Sequence, residues 1–115
     1  MNQVARTAGR RKAKSAPVAL TDALETLRAN RPALEALGVV HASIFGSVAR
    51  GEAESGSDLD VVVELDDAKI RSVYDFAGVW RAISDLFSVS VDVVERDALR
   101  ERMKQRVETD LVNAF

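Results

Sequence analysis

Two β-rich runs, Val39 to Phe45 and Asp58 to Leu65, flank a short polar link, and that arrangement constrains the fold more than any other feature. The link opens on Gly46-Ser47 and closes on Asp58-Leu59-Asp60, with ten residues between Ser47 and Asp58. In the second run Leu59, Val61, Val63 and Leu65 alternate onto one face. Asp58, Asp60, Val62 and Glu64 take the other face, as in a half-buried strand.

The rest of the chain alternates helical and strand patterns. Leu20 to Leu37 carries apolar residues at helical spacing, with Thr21 as the expected N-cap, a break at Asn30-Arg31-Pro32 and a stop at Gly38. Val48 to Arg50 reads as a helical turn closed by Gly51, Glu52 to Ser57 as a loop, and Asp66-Asp67 as a turn. Arg71 to Phe87 reads as a helix whose stripe is Val73, Phe76, Ala77, Trp80, Ile83 and Phe87, with Val79 and Leu86 beside it. Ser88 to Val94 is a third strand, with Val89, Val91 and Val93 facing the core and Asp92 on the opposite face. Asp97 to Val112 is a last helix, with Leu99, Met103, Val107 and Leu111 in line. The expected fold is a small α/β (α+β) domain, a three-stranded mixed sheet with helices packed on it.

Length and charge place this domain within the chain. The 115 residues allow one domain. Met1 to Pro17 holds Arg6, Arg10, Arg11, Lys12 and Lys14, no acid, and almost no large apolar residue. Such a segment cannot bury enough surface to order itself, so residues 1–19 read as a disordered basic tail and 20–115 as the domain. The domain holds the other eleven basic residues and all eighteen acids, a charge of −7. That balance argues against direct nucleic-acid binding by the folded part. The chain has no cysteine, which fits the reducing cytoplasm. No apolar run approaches the roughly 20 residues of a membrane span.

The chemistry-bearing residues fall into two groups. Gly46 lets the backbone approach a ligand closely, and Ser47 offers a hydroxyl and an N–H where a helical turn begins, a place that attracts phosphate. Arg50, one turn on, can fork onto phosphate oxygens. Asp58 and Asp60, two apart on a strand, point to one face about 7 Å apart. Asp92 joins them if the second and third strands are neighbours. Three converging acids repel unless a cation sits among them, and an all-oxygen donor set suits Mg²⁺ or Mn²⁺. A metal-bound nucleoside triphosphate needs both groups together, and phosphoryl or nucleotidyl transfer uses them together. His41, the single histidine, reads as structural, and Trp80 as a core residue.

With those residues in place, Phe45 to Val63 plus Asp92 resembles the nucleotidyltransferase motif of the DNA polymerase beta superfamily, G-S-x₁₀-D-x-D with a third acid on a later strand. The variant Gly46-Ser47-Val48-Ala49-Arg50-Gly51-Glu52-Ala53 and the short chain are similar to the minimal nucleotidyltransferase (MNT) family. The resemblance covers about residues 20 to 112. It implies a small nucleotidyltransferase fold in which Asp58, Asp60 and Asp92 are catalytic and bind Mg²⁺ or Mn²⁺. Gly46, Ser47 and Arg50 would hold the phosphates of the substrate ATP. It further implies an antitoxin that adenylylates a HEPN ribonuclease toxin. No stretch is left over for an acceptor-binding domain, so the acceptor hydroxyl is expected on a partner protein. The alternatives are an antitoxin that blocks its toxin sterically and transfer to a small molecule.

Overall fold

The computed structural model describes residues 16–115. The tail expected at its start falls, for residues 1–15, outside the described residues. Residues 16–19 belong to no helix or strand, and Val18 among them packs against the core.

The elements run α1 (Leu20–Ala29), α2 (Arg31–Leu37), β1 (Val39–Phe45), α3 (Gly46–Ala49), β2 (Leu59–Leu65), α4 (Val73–Ser84) and β3 (Val91–Glu95). A 3₁₀ turn (Arg96–Ala98), α5 (Glu101–Asp110) and β4 (Val112–Asn113) follow. The sheet order is β3-β2-β1-β4. β1 pairs antiparallel with β2 and with β4, and β2 pairs parallel with β3.

Sheet sides follow from the alternation. Leu59, Val61 and Val63 of β2, Ala42 and Ile44 of β1, and Val91 and Val93 of β3 are buried in one cluster. That cluster takes in Ala23, Leu24 and Leu27 of α1, Leu34 of α2, and Val79 and Ile83 of α4. The opposite face is covered by α5. Val62, Leu99, Val107 and Leu111 meet there, with Arg96 and Lys104 at the margin. Ile83 is fully buried between α4 and the sheet. Ile83→Ala should therefore cost about 2–5 kcal/mol, read as a lower midpoint in urea unfolding. A loss under about 1 kcal/mol would show that α4 is not packed as described.

The structure corrects the sequence reading in several places. The sheet has four strands, not three. The long last helix is shorter, because Leu111 turns extended (φ −65°, ψ 128°) and the chain adds β4 to the edge of β1. Met103 from the expected apolar line is 43% exposed. Val73 and Ala77 do not belong to the buried stripe of α4, which centres on Val79 and Ile83. Ser72 caps that helix by accepting from the Asp75 N–H at 3.3 Å, so Val73 sits in the first turn, 74% exposed. Helix α1 starts at Leu20 with Ala19 as N-cap, leaving Thr21 inside its first turn. Strand β3 starts at Val91 rather than Ser88, and Asp58 lies one residue before β2. Gly38 does end α2, at φ 112°, a conformation that favours glycine.

Candidate active site

The site lies where β1 ends and β2 begins. Antiparallel pairing sets Phe45 opposite Asp60, so Gly46, the next residue, arrives beside the Asp60 carboxylate. Gly46 has φ 76°, and a Cβ built on it would collide with Oδ2 of Asp60 and stand 3.3 Å from its Cγ. Both facts require glycine: the left-handed backbone and the space taken by the carboxylate. Ser47 follows in α3, whose first N–H groups have no partner within the helix.

The parallel pairing of β2 and β3 sets Asp60 directly against Asp92. The two carboxylates therefore share one face of neighbouring strands, as the sequence reading required. Asp60 is half-buried, and burial pushes its pKa from 3.8 up to about 6. The negative charges of Asp92 and Asp58 add to the rise, and Arg50 opposes it. Asp58 and Asp92 themselves are exposed. Four residues named from the motif, Gly46, Asp58, Asp60 and Asp92, are thus brought together.

Among the described residues, no three carboxylate or imidazole groups close into a ready-made metal cage. The donor chemistry nonetheless fits a hard cation. All three side chains offer only oxygen, and the repulsion felt by Asp60 is what a divalent cation would reverse.

Arg50 is placed differently from the expectation of a side chain turned to phosphate. Its Nε donates to Oε1 of Glu52 at 2.8 Å, and its Nη1 donates to Oδ2 of Asp110 at 2.8 Å. These bonds raise its pKa further. Asp110, at the end of α5, was not legible from sequence: it lies sixty residues from Arg50, and no local pattern links them. Trp80 is half-buried and does more than fill the core. Its indole N–H donates to the carbonyl of Val91 at 3.3 Å, fixing β3 next to Asp92. His41 lies on β1 with its Nδ1 3.3 Å from the Phe115 carbonyl.

Comparison with known proteins agrees with this geometry. The profile of the Nucleotidyltransferase domain family matches residues 24–114. The protein adenylyltransferase MntA of Thermococcus cleftensis is 31% identical over 78 residues, covering 68% of this chain and 77% of that protein. Among solved structures, a candidate minimal nucleotidyltransferase superposes with a TM-score of 0.60 at 39% identity, covering 77% of this chain and 93% of the other. A complex of an AMPylated HEPN toxin with an MNT antitoxin from Shewanella oneidensis matches with a TM-score of 0.56. It covers 80% of this chain and 71% of the other, and at 15% identity the likeness is of fold alone. On the profile match and the identity to these relatives, the chain belongs to the nucleotidyltransferase domain family, and to its minimal nucleotidyltransferases.

Proposed function

We propose that this chain transfers AMP from ATP to a hydroxyl group of a partner protein, and that the partner is a HEPN-type ribonuclease toxin. The observation that carries the reading is the seat of Gly46 against Asp60, with Asp92 across the strand pair. The naming of the Thermococcus relative as a protein adenylyltransferase supports the reaction. The Shewanella complex supports the class of partner.

In this reading residues 20–115 form the transferase unit, working in the cytoplasm. Asp58, Asp60 and Asp92 hold Mg²⁺ or Mn²⁺, which supplies counter-charge for the triphosphate when bound. Gly46 and Ser47 receive the β- and γ-phosphates through the backbone at the start of α3. Arg50 assists by exchanging its bonds to Glu52 and Asp110 for phosphate oxygens. Asp92 takes the proton of the acceptor hydroxyl. The acceptor oxygen then bonds to the α-phosphorus and pyrophosphate leaves.

The test mixes this protein with ATP, Mg²⁺ and the product of the neighbouring gene. The expected result is a mass gain of one or more AMP units on that product. Asp58→Asn should abolish the gain while the two proteins still associate. Should the variant neutralise the partner as well as wild type does, steric blockade replaces catalysis.

A further inference from the structure

The charge of the domain is unevenly spread. Of its eleven basic residues, five lie between Arg96 and Arg106. Arg96 is engaged, at 3.5 Å from Glu64 and 2.7 Å from Glu108. Lys104 is half-buried at the margin of the Val62 cluster. The remaining three, Arg100, Arg102 and Arg106, are exposed and make no ion pair with any described residue.

These three arginines line a shallow groove of about 410 Å³ together with Glu101 and Met103. Met103 gives the groove an exposed apolar element with an adaptable side chain. Arg100 and Arg102 stand at the N-terminal end of α5, where the helix dipole disfavours cations. Glu101 is the one acid in that first turn, so three arginines against one glutamate leave the groove with a net positive charge.

Their place on the molecule matters. Helix α5 covers the sheet face that carries Asp60, and its far end, Asp110, reaches Arg50 beside the site. The groove thus starts at Arg106, four residues or about 6 Å along the helix from Asp110, and runs away from the site toward Arg100. The site end of this face is acidic, through Asp58, Asp60, Asp92, Glu52 and Asp110, and the groove end is basic.

We infer that the groove formed by Arg100, Arg102, Met103 and Arg106 docks an acidic segment of the acceptor protein that carries an apolar anchor. The inference rests on the proposed transfer to a protein, and it assigns the surface that would orient the acceptor. A short acidic segment seats its charge in the groove alone. An extended polyanion such as RNA would also run against the acidic remainder of a domain whose charge is −7. No aromatic side chain lines the groove to stack a base.

The probe is a fluorescein-labelled peptide alternating glutamate with leucine, followed by anisotropy at about 0.15 M salt. The glutamine-leucine peptide and a polyuridine of equal charge are the controls. Wild type should bind the acidic peptide, and the double variant R102E/R106E should bind it about tenfold more weakly or worse. Circular dichroism should show the variant folded, since both side chains are exposed. Asp60→Asn should bind the peptide as wild type does, because docking needs no transfer. Equal binding by wild type and R102E/R106E overturns the inference, as does no binding by wild type. Tighter binding of polyuridine than of the peptide overturns it in favour of nucleic acid. If the peptide docks as stated while no protein is ever adenylylated, the proposed function fails and the docking surface stands.

Discussion

Asp60→Asn should raise the melting temperature of the metal-free protein while abolishing its nucleotidyl transfer. The two effects have one cause. Burial and the charges of Asp92 and Asp58 lift the Asp60 pKa to about 6 from 3.8. The folded state therefore binds a proton more tightly than the unfolded chain does. Stability is gained as pH falls through 6 toward 4, and lost as pH rises through the same window. At neutral pH the ionised carboxylate costs about 1–2 kcal/mol, after discounting the full shift for the solvent that reaches it. Asparagine keeps the shape and drops the charge. Thermal melts in EDTA at neutral pH should rise by about 5 °C, and the gain should vanish near pH 4. With Mg²⁺ and ATP present the same variant should lose AMP transfer by a factor of about 10² or more. A variant that melts lower than wild type in EDTA would show that Asp60 is not held against its neighbours' charge.

This opposition between stability and activity is what a nucleotide site asks of a fold. Asp60, Asp92 and Asp58 are set on one sheet end at a cost to the empty protein, and a bound cation would offset that cost. Arg50 tells a related story. In the structure its guanidinium is shared by Glu52 and Asp110, which ties the end of α5 to the segment that follows Gly46-Ser47.

Much of the site was legible in the sequence because its members are tied to local patterns. Gly46-Ser47 ends one β-rich run, and Asp58 and Asp60 begin the next at the spacing that points both side chains one way. Asp92 was legible as an acid on the polar side of a valine-rich strand. Its register against Asp60 was not, because that depends on how far α4 carries the chain before β3 joins β2. The fourth strand was hidden for a different reason. Val112 and Asn113 are too short a pair to show alternation, and their place beside Ser43 and Ile44 is fixed from outside. Two of those fixings are bonds from Arg28, whose Nε donates to the Ala114 carbonyl at 2.6 Å and whose Nη2 donates to that of Asn113 at 3.1 Å. Most of the expected α4 stripe holds, with Phe76, Trp80, Ile83 and Phe87 in or against the core, but Val73 and Ala77 are exposed and Val79 takes a buried place beside Ile83.

Gly46→Ala should cripple the protein twice, once in the backbone and once in the site. At φ 76° an alanine costs about 1 kcal/mol in backbone strain. Its methyl group would also overlap Oδ2 of Asp60 and press on Cγ at 3.3 Å. The carboxylate end can swing away, so the fold should survive at a total cost of about 1–3 kcal/mol. The swing takes Asp60 off its position opposite Asp92, and the methyl group fills the space beside the turn that the proposed function gives to phosphate. Transfer of AMP should fall about 10²-fold or more even though no catalytic group has been removed. A double-mutant cycle separates the two parts. In an Asp60→Ala background the carboxylate is gone, and Gly46→Ala should then cost only the backbone share, about 1 kcal/mol by urea unfolding. The coupling between the two positions is the energy of the collision. Strictly additive costs would show that Gly46 and Asp60 do not touch, and that Gly46 serves the turn alone.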